Sequence, residues 1–170
     1  FSLVKKYKGL WKQVIDENNI ADAYRKAILG KKHYTSVKRF EQNKEANLKA
    51  IREILVNQTY KTSPYHERTI YEPKERVIKC LPYRDRIVQQ WYIYEFIKPY
   101  IIPRIINTCC ACIDNKGTHY AVLMVDKYMN IMKRKYDKYY ILKLDIKKYF
   151  YNIDKNILYK IMNSFVSDIP

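Results

Sequence analysis

The run Tyr140-Ile141-Leu142-Lys143-Leu144-Asp145-Ile146-Lys147-Lys148-Tyr149-Phe150-Tyr151-Asn152-Ile153-Asp154 decides how this chain is read. Its first half alternates in the two-residue period of a β-strand. Alternation puts Ile141, Lys143 and Asp145 on one face and Leu142, Leu144 and Ile146 on the other. The predicted strand therefore delivers one carboxylate to its end, facing a cleft, and buries its opposite face. A basic, aromatic turn follows. Two readings fit this pattern: Asp145 is a metal ligand carried by a strand, or the strand is an ordinary half-buried one that ends in a solvated aspartate.

Upstream of this run the chain reads first as helices and then as mixed structure, an α+β chain. Trp11 to Leu29 has helical spacing in Val14, Ile15, Ala21, Tyr24, Ala27 and Ile28, with a break expected around Asn18-Asn19 and a stop at Gly30. Thr35 or Ser36 is expected to cap a second helix running through Leu48, Ile51, Ile54 and Leu55. Glu67 to Tyr71 and Arg76 to Leu81 read as a β-hairpin with its turn at Glu72-Pro73-Lys74-Glu75. Arg84 to Ile102 is helical by pattern, closed by Pro99 and Pro103. Cys109 to Ile113 fits a short buried strand, and Asn115-Lys116-Gly117 a turn. Thr118 then caps a helix whose inner face is Ala121, Met124, Val125, Tyr128 and Met132 and which ends near Tyr136. Beyond the opening run, Asp154 is expected to cap a last helix through Ile157, Leu158 and Ile161.

Charge narrows the choice of partner. Lys plus Arg number 33 against 17 Asp plus Glu, a net charge of +16 on 170 residues, which favours a polyanion, nucleic acid first, over a small molecule. The apolar stretch Trp91 to Ile97 is interrupted by Glu95 and followed by Lys98, far short of the roughly 20 residues a membrane span needs. No apolar run follows Lys5, Lys6 and Lys8 at the start, so a soluble, cytoplasmic protein without a signal peptide is expected. Tyr supplies 18 residues, and its ring suits both half-buried surfaces and stacking on bases. Cys80, Cys109, Cys110 and Cys112 do not form paired C-x-x-C units and have no His at a suitable interval. Buried, reduced thiols are expected rather than a zinc site.

The hairpin is the second constellation. Arg68, Lys74 and Arg76, together with Lys79, are expected to form a basic flap over whatever the carboxylate holds.

Three blocks, in order, resemble one family. Asp145, then Phe150 five residues later, then Asn152-Ile153-Asp154 is similar to motif A of reverse transcriptases. The core Leu144-Asp145-Ile146-Lys147-Lys148-Tyr149-Phe150 resembles the bacterial group II intron and diversity-generating retroelement enzymes, with Tyr149 where they usually carry Phe. Arg76-Val77-Ile78 followed by Leu81-Pro82-Tyr83-Arg84-Asp85-Arg86-Ile87-Val88-Gln89 resembles the family's first conserved block, and the Lys74-x-Arg76 spacing fits the diversity-generating type better. Ala111 to Ala121, with the basic glycine turn Lys116-Gly117-Thr118, resembles the next motif.

What the resemblance implies is an RNA-directed DNA polymerase. Residues 1–60 would be a basic helical extension, 61–138 fingers, and 139–170 the start of a palm cut off before the Tyr-x-Asp-Asp hairpin. Asp145 and the Ile146 carbonyl would bind Mg²⁺, with Mn²⁺ as its substitute. Arg76, with Arg68 and Lys74, would clasp the dNTP triphosphate, because a guanidinium fork matches phosphate oxygens. Phe150 would judge the sugar. Lys116, Gly117 and Thr118 would meet a phosphate of the RNA template or of a DNA or RNA primer at a helix N-terminus, where glycine allows close backbone approach. Asp85 and Arg86 would hold the hairpin against its helix; His119 is expected only to pack or to face solvent. The sequence contains no Asp-Asp pair, so the second carboxylate position of a two-metal site is missing and the chain is expected to be a fragment, inactive alone but RNA-binding, open to self-association or an accessory protein. The rival reading is a non-catalytic, maturase-like RNA-binding scaffold with the same fold.

Overall fold

Helix α1, Glu17–Ile28, starts where Asp16 can cap it: the carboxylate accepts from the Asn18 amide at 2.8 Å. The computed structural model describes residues 6–11, 15–71 and 73–165. Asn18 and Asn19 lie inside the first turn of α1, so the expected break falls instead before Glu17. Glu17 in the first turn and Arg25 and Lys26 in the last complement the helix dipole. Gly30, at φ 68°, supplies the left-handed residue that ends it. The second expected helix is two: α2, Thr35–Glu41, and α3, Lys44–Val56, interrupted at Gln42-Asn43. Neither Thr35 nor Ser36 caps; Tyr34 holds that position and makes no side-chain cap bond.

The hairpin forms as the sequence indicates, with β1, His66–Ile70, antiparallel to β2, Arg76–Cys80; Glu72 in its turn lies outside the described residues. α4, Tyr83–Tyr92, then runs on as a π-helix, Ile93–Ile101, and a 3₁₀ turn, Ile102–Arg104. Pro99 thus sits inside the helical run and does not close it. A π-helix moves the hydrogen-bonding partner to i−5, so the carbonyl that the ring would strike in an α-helix is displaced.

A single buried cluster holds these pieces together. Ile20, Ala23, Tyr24 and Ala27 of α1 pack with Val37 and Phe40 of α2, Ile51 and Leu55 of α3, and Tyr83, Ile87, Val88 and Trp91 of α4. Residues 17–56 therefore share a core with 83–101. Tyr24 hydrogen-bonds Glu41 at 2.9 Å, and Trp11 meets Trp91 edge-on at 6.2 Å.

The chain beyond Arg104 is more open. Cys109 to Ile113 forms turns, not a strand, because Cys112 and then Asn115 take positive φ values of 57° and 62°. Cys112 is exposed and Cys80, Cys109 and Cys110 are only half-buried, so the expected burial of the thiols is corrected; all four are free. α5, Thr118–Lys135, ends where expected, at Tyr136, but none of its residues is buried. Val125, Tyr128 and Met132 of its expected inner face stay 53, 46 and 39% exposed.

Residues 141–146 correct the central expectation of a strand: they form no ladder, and β1–β2 is the only sheet among the described residues. Leu142 and Leu144, assigned to a buried face, are 80 and 81% exposed. Alternation fixes which residues share a face, but a strand also needs a neighbour to take its backbone hydrogen bonds. A short helix α6, Tyr149–Asn152, and α7, Lys155–Phe165, follow. Asp154 caps α7 as expected, accepting from Asn156 and Ile157 at 2.8 and 3.1 Å. α7 returns to the N-terminal part, where the Tyr7 amide donates to the Phe165 carbonyl at 3.1 Å and Arg104 lies over both rings. The architecture is α+β: seven α-helices and a two-stranded antiparallel sheet among the described residues.

Candidate functional site

The hairpin register sorts its cations. Arg68 pairs with Ile78 and Ile70 with Arg76, so Arg68 and Arg76 share one face with His66 and Cys80. They are diagonal neighbours, whose Cα atoms in such a ladder lie about 7–8 Å apart. Both are exposed. Lys79 pairs with Glu67 on the opposite face and forms an ion pair with it at 3.5 Å. The expected four-residue flap is therefore two arginines on one side, Lys74 exposed at the turn, and Lys79 turned away.

The foot of the hairpin is anchored by Asp85. This carboxylate is fully buried, and its Oδ1 accepts from the Tyr60 hydroxyl at 2.8 Å and the Ser63 amide at 3.1 Å. Burial alone would raise its pKa. The hydrogen bonds from Ser63 and Tyr60, helped by the Arg84 charge, outweigh burial and hold it below the usual carboxylate value. Arg84 donates to the Ser63 hydroxyl at 3.0 Å. The anchor thus runs through Asp85 and Arg84 to the segment leading into β1, and not through Arg86, which lines the groove beside it.

Asp145 lies on the exposed, extended stretch before the turn at Lys147-Lys148, whose second residue takes φ 52°. Phe150, two residues past that turn, is 86% exposed and among the described residues meets one ring, that of Tyr149, edge-on at 5.3 Å. Among the described residues no hydrogen bond, ion pair or ring contact joins 139–154 to the hairpin. The structure brings Arg68 and Arg76 together and leaves Asp145, Ile146 and Phe150 as a separate group.

The sequence matches no family model and no curated protein.

Asp145 and the Ile146 carbonyl are hard oxygen donors of the kind Mg²⁺ takes. They amount to one carboxylate position, because the nearby Asp154 spends Oδ1 on capping α7. Among the described residues no three His, Cys, Asp or Glu side chains come together as a metal-binding group. The donors present fit one ligand position and not a complete two-metal site.

At the third block the N-cap is Gly117, not Thr118, and it makes no side-chain cap bond. Its φ of 173° is extended backbone open to any residue, and a Cβ there would meet nothing within 4 Å. Nothing in the chain's own packing requires glycine. Lys116 reaches back to the Asn107 carbonyl at 2.9 Å. His119 is exposed.

No helix among the described residues is long and apolar enough to cross a membrane. Sequence reasoning missed Tyr60 and Ser63 as partners of Asp85, and it missed Arg39, which α2 carries to the same groove as Arg84 and Arg86. No local pattern signals a contact across that distance in sequence.

Proposed function

We propose that this chain is the fingers and the opening of the palm of an RNA-directed DNA polymerase of the bacterial retroelement kind. The observation that carries the reading is the pair of exposed arginines, Arg68 and Arg76, on one face of a hairpin whose foot is fixed by buried Asp85. Such a face offers two planar guanidinium forks to a triphosphate, from a support that does not itself have to move. In this reading Lys74 adds a third cation, Asp145 and the Ile146 carbonyl supply one side of the Mg²⁺ or Mn²⁺ site, and Phe150 lies under the sugar. Lys116 and the start of α5 meet the template or primer backbone. The net charge of +16 suits an RNA template and its primer. The uncovered face of α5 is where an accessory protein or a second copy would sit.

One observation favours a non-catalytic RNA-binding scaffold instead: the described residues gather no group of three metal-ligating side chains, at Asp145 or elsewhere. The two readings part on nucleotide kinetics. In a polymerase containing this chain, Arg76→Ala is expected to raise the KM for dNTP and lower kcat, with a loss of about 1.5–3 kcal/mol in kcat/KM for a contact to a charged group. Lys79→Ala, on the other face and paired with Glu67, is expected to leave dNTP kinetics unchanged. Steady-state kinetics on both variants check this, and a silent Arg76→Ala would remove the triphosphate from this hairpin.

A further inference from the structure

A groove of about 650 Å³ lies between α2, the start of α4 and the foot of the hairpin. Arg39, Arg84 and Arg86 line it together with Asn43, His66 and Tyr83, and no carboxylate among the described residues does. The neighbouring acids are engaged elsewhere: Asp85 accepts from Tyr60 and Ser63, and Glu41 accepts from Tyr24. Neither Arg39 nor Arg86 forms an ion pair among the described residues. Tyr83 is 6% exposed, and its hydroxyl is buried with no hydrogen-bond partner among the described residues. Burial pushes its pKa up to about 12, so it stays a neutral donor. Arg84 is held beside Asp85 at 4.0 Å, which leaves Arg39 and Arg86 as the cations free for a ligand. A concave site with two such guanidinium groups and an unused phenol suits an anion with several oxygens.

The groove does not end at its own rim. His66 and Cys80, the pair at the foot of the hairpin, line it or flank it on the same hairpin face as Arg68 and Arg76. From the His66–Cys80 pair to the Ile70–Arg76 pair is four residues of strand, about 13 Å. The groove therefore opens at the foot of the hairpin, clear of Arg76 at its far end.

We propose that this groove holds the sugar-phosphate backbone of single-stranded nucleic acid, with phosphates seated at Arg39 and Arg86 and the strand leaving past His66 at the foot of the hairpin. The inference rests on the proposed function only in choosing nucleic acid as the source of the phosphate; the groove and its charges stand without it.

The test is fluorescence anisotropy of a labelled 12-nucleotide oligouridylate with the full chain, across a salt series, for wild type and two double variants. Arg39→Ala with Arg86→Ala is expected to weaken binding at least tenfold and to flatten the slope of log K against log salt by about 1.4, at about 0.7 per phosphate contact on a single strand. Lys133→Ala with Arg134→Ala, which removes the same charge at the far end of α5, is expected to stay within twofold of wild type. Exposed Arg39→Ala alone, expected to flatten the slope by about 0.7, keeps the test valid if the double variant melts early, and Arg39→Lys should recover most of the loss. Equal weakening by both double variants would overturn the groove site. Displacement of the oligonucleotide by dTTP or tripolyphosphate at matched phosphate concentration from an Arg68→Ala, Arg76→Ala variant, which lacks the hairpin pair assigned to the triphosphate, would overturn it in favour of a small-anion site in the groove. Tight, salt-dependent binding unaffected by the groove variants would reject the groove but leave the polymerase reading standing, whereas no binding by wild type would reject both.

Discussion

Asp85→Ala is expected to destabilise the chain by several kcal/mol and to release the foot of the hairpin. The carboxylate is fully buried and is the acceptor for both Tyr60 Oη and the Ser63 amide. Each donor left without a partner costs about 1–3 kcal/mol when buried and less for the part-buried Tyr60 and Ser63, but loss of the aspartate also leaves a buried void, and the whole stability of a domain is only about 5–15 kcal/mol. At about 2–4 °C of Tm per kcal/mol for a chain of this size, a fall of more than about 5 °C should be seen by circular dichroism or calorimetry. The same group sets a pH dependence. Because its pKa in the folded chain lies below the usual value, it contributes stability above about pH 4, the unfolded value, and that contribution is lost as pH falls through the folded value. Asp85→Asn keeps an acceptor but has no charge to titrate, so it should lose less stability at pH 7 and flatten the acid limb. An Asp85→Ala melting curve that overlays wild type would contradict the anchor.

Phe150→Val is expected to separate chemistry from packing. If Asp145 and the Ile146 carbonyl hold the triphosphate through the metal, Phe150, the second residue past the Lys147-Lys148 turn, lies against the sugar. A ring there rejects a ribose 2′-OH by collision, and valine removes the collision without touching the metal ligands. In a polymerase containing this chain, the ratio of kcat/KM for dNTP over the matched rNTP should fall at least tenfold, about 1.4 kcal/mol. Stability should hardly move: Phe150 is 86% exposed, and surface substitutions of that kind stay within about 0.5 kcal/mol. A core role predicts the reverse, a lowered Tm from the lost packing with sugar discrimination intact. Paired kinetics and melting curves on the two proteins decide between them.

How far the sequence could be read depended on whether the deciding interaction was local. The hairpin, the Gly30 stop, the end of α5 at Tyr136 and the Asp154 cap each rest on residues within a few positions of one another, and each is present. Residues 141–146 read as a strand and are not one, because alternation carries no information about a pairing partner. Pro99 reads as a stop and is not one, because nothing in the sequence announces a π-helix over Ile93–Ile101. Positive φ at Cys112 is equally silent, since cysteine has no preference for that conformation. The division of the hairpin's cations into two faces was readable in principle, because register follows once the turn is fixed. The groove was not, since Arg39 meets Arg84 and Arg86 only through the packing of α2 against α4.

The proposed RNA-templated DNA synthesis depends on Asp145, and primer extension measures it directly. The assay uses a polymerase containing this chain, an RNA template with an annealed DNA primer, dNTPs and Mg²⁺, with Asp145→Ala alongside and the 170-residue chain as a third sample. That polymerase is expected to extend the primer and Asp145→Ala to fall to background. The 170-residue chain, with one carboxylate position where two-metal transfer needs two, is also expected to stay at background. Absence of extension by the polymerase, or extension indifferent to Asp145→Ala, would contradict the proposed function.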